Sequence, residues 1–208
     1  MENQAQNRAK TLWMAQTAIL SAIIILMSFT PLGYLKVGII EITFIMIPVA
    51  VGAILMGPST GAFLGGVFGI TSFLQAVFGL SPFGVALLQI NPIYLFILTM
   101  VPRILMGWLV GLIFKALHKI DKTKIVSYAV ASLSGAVINT VLFVGGLFLL
   151  FGNTDYIRSF GPTVPTIIAL LVSLNAALEA AISLVVGTAV TKALGAYYDR
   201  NVRKSKPV

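Results

Sequence analysis

The sequence has no cysteine, one histidine and only six acidic residues among its 208 residues. Without cysteine, disulfides and thiol chemistry are excluded. The single histidine, His118, falls among lysines outside the apolar runs, so neither a histidine metal site nor a histidine general base is available within them. The acidic residues are too scattered for two carboxylates to act as a paired acid and base. The sequence therefore predicts no metal site and no enzyme.

A phosphate-binding loop of the form GxxxxGK[ST] is also absent, which excludes ATP hydrolysis by that mechanism. Charged residues are scarce as well, at 10% of the chain. Hydrophobic residues make up 58%, and the mean hydropathy is +1.00. This composition predicts an integral membrane protein.

Apolar runs account for nearly the whole chain. A membrane-spanning helix needs roughly 20 apolar residues, and these runs lack the alternation of lipid-facing strands. The sequence therefore predicts an all-α membrane protein, a six-helix bundle that forms a single membrane domain over residues 1–208. The predicted helices cover residues 12–29, 42–56, 59–78, 93–117, 125–151 and 164–193.

The positions of the basic residues explain the formal net charge of +8. They cluster before the first helix, around the turn after the fourth and at the C-terminal end, all on one side of a six-helix bundle. The other side receives only Lys36 and Arg158. By the positive-inside rule, both termini are predicted to be cytoplasmic. Because topology and lipid contact account for these cations, we expect no nucleic acid as a partner.

Arg103 lies ten residues from the start of the fourth predicted helix. At about 1.5 Å per residue it is roughly 15 Å deep, near the middle of a hydrocarbon core about 30 Å thick. A buried cation at this depth costs about 2.5–3.5 kcal/mol on insertion scales, so it should face the protein interior and meet acceptors.

Asn139 and Glu179 reach a similar depth on the fifth and sixth helices. Convergence of polar groups at one level of a bundle favours a ligand site. The alternative is a structural ion pair between Arg103 and Glu179 that fastens two helices. Other polar residues are expected near such a site, namely Asn175 one turn from Glu179, Ser72 and Gln75 on the third helix, and Asn91 in the loop before the fourth.

Small residues mark two helix faces. Ala18 and Ala22, with Ala15 nearby, form a small-xxx-small pattern on the first helix that favours internal helix packing when taken alone. Gly107 and Gly111 form a GxxxG pair just after Arg103, which predicts close packing against a neighbouring helix. Pro102 removes one backbone donor beside Arg103.

The loop at residues 30–41 alternates β-branched residues with Lys36 and Glu41, which suggests a short lid. The alternative is an interfacial loop anchored by Tyr34.

A small proton-coupled secondary transporter, with Glu179 as the proton relay, is an alternative function for the whole chain. The chain has no visible inverted repeat and is small for alternating access, which argues against that mechanism.

Three stretches resemble the substrate-binding S components of energy-coupling factor (ECF) vitamin transporters. They are IPVAVGAILMGPSTGAFLGGVFGITSFLQAVFG at residues 47–79, SPFG with QINP, and VPRILMGWLVGLIFKAL at residues 101–117. The resemblance extends over residues 12–194 in segment order and length, and it is strongest to pantothenate S components.

This resemblance implies the S-component fold, with a vitamin captured at its outer side. It implies a transmembrane coupling protein (the T component) and two cytoplasmic ATPases as partners, so that ATP is used by the partners and no cofactor is bound by this chain. It also assigns Ala15, Ala18 and Ala22 to docking on the coupling protein, and it makes the loop with Tyr34, Lys36 and Glu41 the gate over the site.

Pantothenate is the substrate that the resemblance favours. Arg103 suits its carboxylate, while its amide and hydroxyls suit a set of neutral polar side chains. That set contains Asn139, Asn175, Ser72, Gln75 and Asn91. Glu179 fits an anionic ligand poorly unless it accepts from a hydroxyl or is occupied by Arg103. A neutral vitamin or precursor, such as hydroxymethylpyrimidine, pyridoxine or riboflavin, is therefore the alternative substrate.

Overall fold

In the part of the chain that the structure describes, helices are joined by short turns and one β-hairpin. The computed structural model describes residues 2–31, 33–37, 40–121, 123, 125–161, 166 and 176–202. The last helix, α8, is described from residue 176 to residue 202 and contains a π-helical turn at Ser183–Gly187. The other elements are α1 Glu2–Ser28, β1 Tyr34–Val37, β2 Ile40–Thr43, α2 Met46–Met56, α3 Pro58–Val77, α4 Pro82–Ile90, α5 Pro92–Leu117, α6 Val126–Phe151 and α7 Asp155–Arg158.

Within the described residues, five helices are long and apolar enough to cross a membrane, namely α1, α3, α5, α6 and α8. The prediction of helices at these places is confirmed, although the predicted residues 164–165 and 167–175 lie outside the described part of the chain. The second predicted helix is shorter than expected. With 11 residues, α2 is about 16 Å long, and most of its residues are buried in the bundle.

The predicted start of α2 at residue 42 is wrong because Ile42 and Thr43 belong to β2. The strands β1 and β2 pair antiparallel, with Lys36 opposite Glu41 in the register. β-branched residues favour strands, and opposite charges are typical of facing positions in antiparallel pairs. The loop predicted at residues 30–41 is therefore largely a hairpin. We call this end of the bundle the hairpin end.

Helices α3 and α5 touch backbone to backbone along a seam of glycines. A Cβ atom added at Gly61 would lie 2.2 Å from the carbonyl oxygen of Gly107, and one at Gly65 would lie 2.1 Å from that of Arg103. Side chains at these positions would force the helices apart, so the close packing predicted for the GxxxG pair is confirmed. The seam holds the backbone of Arg103 directly against α3.

The outer face of α1 carries the three alanines of the small-residue pattern. Ala15, Ala18 and Ala22 are exposed, whereas Thr17, Ile24 and Ser28 of the same helix are buried. The internal packing that the pattern alone favours is therefore wrong for these alanines. Their face points away from the rest of the bundle.

An aromatic cluster covers part of the hairpin end. The rings of Phe83 on α4 and Tyr156 on α7 lie 6.0 Å apart, and Phe160 lies 5.2 Å from Tyr156. Burial among these rings raises the pKa of Tyr156. The loop between α3 and α5 thus contains a short helix that packs toward α7 through Phe83.

Candidate ligand site in the bundle

Arg103 lies between aromatic rings in the interior. The side chain is 9% exposed, and its guanidinium carbon lies 4.6 Å from the ring centroid of Phe143 on α6 and 5.5 Å from that of Phe68 on α3. Aromatic faces attract cations, and the attraction is stronger where water is excluded. The arginine therefore faces the protein interior, as its predicted depth requires.

A backbone carbonyl on the same helix also binds Arg103. Its Nη1 donates to the carbonyl oxygen of Leu98 at 2.9 Å. In a regular helix this oxygen would accept from the amide of residue 102, but Pro102 has no N–H. The proline thus frees the acceptor that the arginine uses, and it does so without ending α5.

Asn139 lies one turn before Phe143 on α6. The residue is 8% exposed, and its Oδ1 is buried and accepts no hydrogen bond from any residue that the structure describes. A buried amide oxygen without a donor costs about 1–3 kcal/mol, so this position favours a ligand that donates a hydrogen bond.

Glu179 binds the hairpin. Its Oε1 accepts a hydrogen bond of 2.8 Å from the backbone amide of Thr43 at the end of β2, and the residue is only 5% exposed. The carboxyl group also interacts electrostatically with the guanidinium of Arg103. The structure thus brings Arg103 and Glu179 into one interior region, and it places the hairpin backbone there too.

Other predicted site residues have partners in the fold. Gln75 is buried and its Nε2 donates to the carbonyl oxygen of Ser28, which joins α3 to α1. Asn91 caps α5, because its Oδ1 accepts from the amides of Ile93 and Tyr94 at 3.0 and 3.1 Å. Ser72 is half-buried on α3. Asn175 lies outside the described residues, as do the side chains of Tyr34, Lys36 and Glu41.

Sequence reasoning missed two groups of partners. The aromatic neighbours of Arg103 lie on faces that the helical spacing could have identified, because Phe68 follows Gly65 by three positions and Phe143 follows Asn139 by four. The carbonyl of Leu98 could have been found from the proline four residues later. The amide of Thr43 gives no sequence signal, since every residue but proline has one.

No metal centre is found at this place: among the described residues, no group of three or more His, Cys, Asp and Glu could hold a metal ion. The region around Arg103 instead combines a cation, aromatic walls and a carboxyl group, and Asn139, with its buried amide oxygen, lies one helical turn from Phe143. Such a set can bind a small, partly polar organic molecule by its anionic or hydrogen-bonding groups.

Comparison with known proteins identifies the family of this chain. Residues 13–190 match the family described as ECF transporter, substrate-specific component. The chain is also 27% identical over 161 residues to the pantothenic acid transporter PanT of Lactococcus lactis subsp. cremoris (strain MG1363). That alignment covers 73% of this chain and 76% of PanT. The match to the family model spans most of a multi-pass membrane chain, and the chain therefore belongs to the substrate-specific components of ECF transporters.

Proposed function

We propose that this S component binds pantothenate, with Arg103 as the partner of its carboxylate. The observation that carries the proposal is the guanidinium held inside the bundle between Phe68 and Phe143. A guanidinium is suited to a carboxylate because it offers parallel N–H donors. The similarity to a pantothenic acid transporter supports the same substrate.

The rest of the ligand has counterparts nearby. Pantothenate carries an amide and two hydroxyl groups, all of which can donate a hydrogen bond. Asn139 offers a buried acceptor that the described residues leave unused. We assign Asn139 to one of these donors and keep Ser72 and Asn175 as further polar contacts. Gln75 and Asn91 are weaker candidates, because the fold already occupies their amides.

Glu179 is explained better as an anchor for the hairpin than as a ligand for the vitamin. A carboxyl group beside an anionic substrate would repel it, whereas an amide of β2 is a suitable donor. In this proposal the hairpin with Tyr34, Lys36 and Glu41 is the gate, and Glu179 holds it by the backbone at Thr43.

A neutral heteroaromatic vitamin is the second candidate, and one observation favours it. Glu179 is buried near Arg103, whose charge it can balance, and the aromatic rings beside the site could stack on a planar ligand. In that case Glu179 would accept from the ligand and Arg103 would be its structural partner.

The orientation and partners complete the proposal. Because basic residues cluster at both ends of the chain, the proposal has both termini in the cytoplasm. The exposed alanine face of α1 docks on the T component, and two cytoplasmic ATPases supply the energy from ATP. This chain itself needs no bound cofactor.

Mass spectrometry of small molecules released from the purified protein tests the substrate, followed by calorimetric titration of the compound it identifies. Pantothenate released from the protein, with tight rebinding, is the expected result. A neutral ring compound as the released ligand would overturn the assignment of pantothenate and favour the second candidate.

A further inference from the structure

A cavity opens at the end of the bundle opposite the hairpin. It has a volume of about 450 Å³ and lies between the turn joining α2 to α3 and the last turns of α5. Pockets that bind small molecules typically occupy about 300–1,000 Å³, so the cavity is large enough for a ligand. It is separate from the site around Arg103, whose residues do not line it.

The cavity has an apolar floor and a basic rim. Ala53 and Ile54 at its floor are 1% and 5% exposed, whereas Lys115 and Lys119 at its rim are exposed. The two lysines are one helical turn apart, so they lie on the same side of α5 and its extension. No acidic residue is among those described as lining the cavity. The rim is therefore a cationic patch without a carboxylate beside it in the cavity wall.

His118 belongs to the wall of the same cavity and is held in place. Its ring stacks on Phe114 with centroids 4.8 Å apart, and Nδ1 lies 3.1 Å from the hydroxyl of Ser127. His118 is therefore packed against its neighbours, although its place in the sequence among lysines suggests a solvated side chain. Its packing gives the basic rim a rigid backing.

Asp121, the acidic residue nearest to Lys119 in the sequence, accepts hydrogen bonds from other residues. Both carboxylate oxygens of Asp121 accept hydrogen bonds, one from Thr123 and the other from the amide of Ser127 at 2.7 Å. These bonds hold the pKa of Asp121 well below its usual range. The carboxylate of Asp121 therefore binds the first turn of α6. Lys115 and Lys119 remain available to an external anion.

We propose that this cavity binds the head group of an anionic phospholipid, with Lys115 and Lys119 as partners of the phosphate. The cavity lies at the end of α5, whose apolar span ends at Leu117, and a helix of this length would bring that end to the level of lipid head groups. Basic pockets between helices at this level are suited to anionic lipids. The apolar floor favours a lipid over free phosphate, because it can accept the first part of an acyl chain.

The simpler explanation for Lys115 and Lys119 is that lysines at a helix end orient the helix in the membrane and complement its dipole. That role requires only their charge and gives no reason for selective lipid binding. Lys10 and Lys192 provide the matched comparison, because they are exposed cations that do not line the cavity.

Native mass spectrometry of the whole chain in detergent, with phosphatidylglycerol and phosphatidylcholine added in equal amounts, tests the proposal. We expect one phosphatidylglycerol to bind in preference to phosphatidylcholine. In the double variant Lys115→Gln/Lys119→Gln this binding should weaken about thirtyfold. The control Lys10→Gln/Lys192→Gln should retain it. Equal binding by the two double variants, or no preference for phosphatidylglycerol, would overturn the proposal.

A labelling experiment locates the lipid and uses the absence of cysteine from the chain. Met56→Cys places a single thiol in the cavity lining, and Ser59→Cys places one on the exposed surface just outside it. Phosphatidylglycerol should slow maleimide labelling at position 56 and not at position 59, whereas inorganic phosphate should protect neither. Protection by phosphate alone, or by added T component but not by phosphatidylglycerol, would show a different occupant and reject the lipid.

Discussion

Arg103 shows how a membrane bundle can stabilise a buried guanidinium group. Its insertion costs about 2.5–3.5 kcal/mol. A desolvated cation–π contact contributes up to about 2 kcal/mol, and a hydrogen bond to a charged group contributes about 1.5–3 kcal/mol. The rings of Phe68 and Phe143 and the carbonyl of Leu98 therefore offset a cost of the same size. The fold can keep this cation in place before any substrate arrives.

Glu179 supports a prediction about release of the substrate. Replacing it with Leu removes the acceptor for the amide of Thr43, and a net hydrogen bond is worth about 0.5–1.5 kcal/mol. If that bond holds the gate, Glu179→Leu should release bound pantothenate roughly twofold to tenfold faster. Stopped-flow displacement with unlabelled substrate measures this rate.

Glu179→Gln is the matched control, because its amide oxygen can still accept from Thr43. We expect it to release substrate at a rate closer to that of the unmodified protein. Equal and unchanged rates in both variants would show that this hydrogen bond does not hold the hairpin.

At the scale of elements, the seam between α3 and α5 should tolerate no added atoms. Gly65→Ala would place a Cβ atom 2.1 Å from the carbonyl oxygen of Arg103, so the helices must separate. Overpacking of this kind costs about 1–3 kcal/mol. We expect a lower melting temperature in detergent and weaker pantothenate binding, because Arg103 moves with its backbone.

The neighbouring glycine provides the control for this prediction. A Cβ atom at Gly66 would lie 3.7 Å from the side chain of Ile104, an ordinary contact. Gly66→Ala should therefore leave both melting and binding near their original values. A Gly65→Ala protein as stable as Gly66→Ala would contradict the packing described for the seam.

Asp121 supports a prediction about pH. Its folded-state pKa is lowered, chiefly by the hydrogen bond from the amide of Ser127. Its stabilising contribution is therefore complete above the pKa of the unfolded chain, about 3.9, and is lost as pH falls through the lower folded value. Asp121→Ala should lower the melting temperature at pH 7, and the difference from the unmodified protein should shrink as pH falls below about 4. A difference that stays constant with pH would contradict this role.

The elements were predictable where one signal dominated. Long apolar runs identified α3, α5 and α6 to within one residue at every end. The predicted start of α2 was wrong because the hydropathy of Ile42 and Thr43 is compatible with a helix. Both residues are β-branched and pair with β1, and they therefore form a strand. The hydropathy of one segment does not indicate whether that segment pairs with another.

At the scale of the whole molecule, membership of the family makes the chain a substrate-binding transporter subunit. S components bind vitamins and work with a T component and ATPases, so this chain is a transport subunit and not an enzyme. The exposed face of α1 is then available to a partner helix, because Ala15, Ala18 and Ala22 let another backbone approach closely.

The docking proposal predicts a separation of binding from transport. Ala18→Trp/Ala22→Trp fills the face with bulky rings and should reduce uptake by cells to background while pantothenate binding by the purified protein is unchanged. Leu149→Trp is the control, because Leu149 is 85% exposed on α6, away from α1. Normal uptake by the Ala18→Trp/Ala22→Trp variant would contradict docking at this face.

The positions of the residues in the predicted helices suggested that Arg103 and Glu179 interact, but they did not predict the other contacts of these residues. Depth alone brought together Arg103, Asn139 and Glu179 from three helices. Their actual partners include two backbone groups. The carbonyl of Leu98 is left free by Pro102, whereas the amide of Thr43 is revealed by no side-chain pattern. The partner of Gln75, a backbone carbonyl on α1, could not be foreseen either. Asn91 differs, because an asparagine directly before Pro92 is a recognisable helix N-cap.

The most direct test of the account compares pantothenate with pantothenol, in which the carboxylate is replaced by an alcohol. Calorimetric titration of the purified protein should show pantothenate binding at least about tenfold more tightly, because only the carboxylate makes a charge-assisted pair with Arg103. Arg103→Gln should remove most of this preference while the protein remains folded. Equal affinity for the two compounds in the unmodified protein would contradict the central claim that Arg103 recognises the carboxylate of the vitamin.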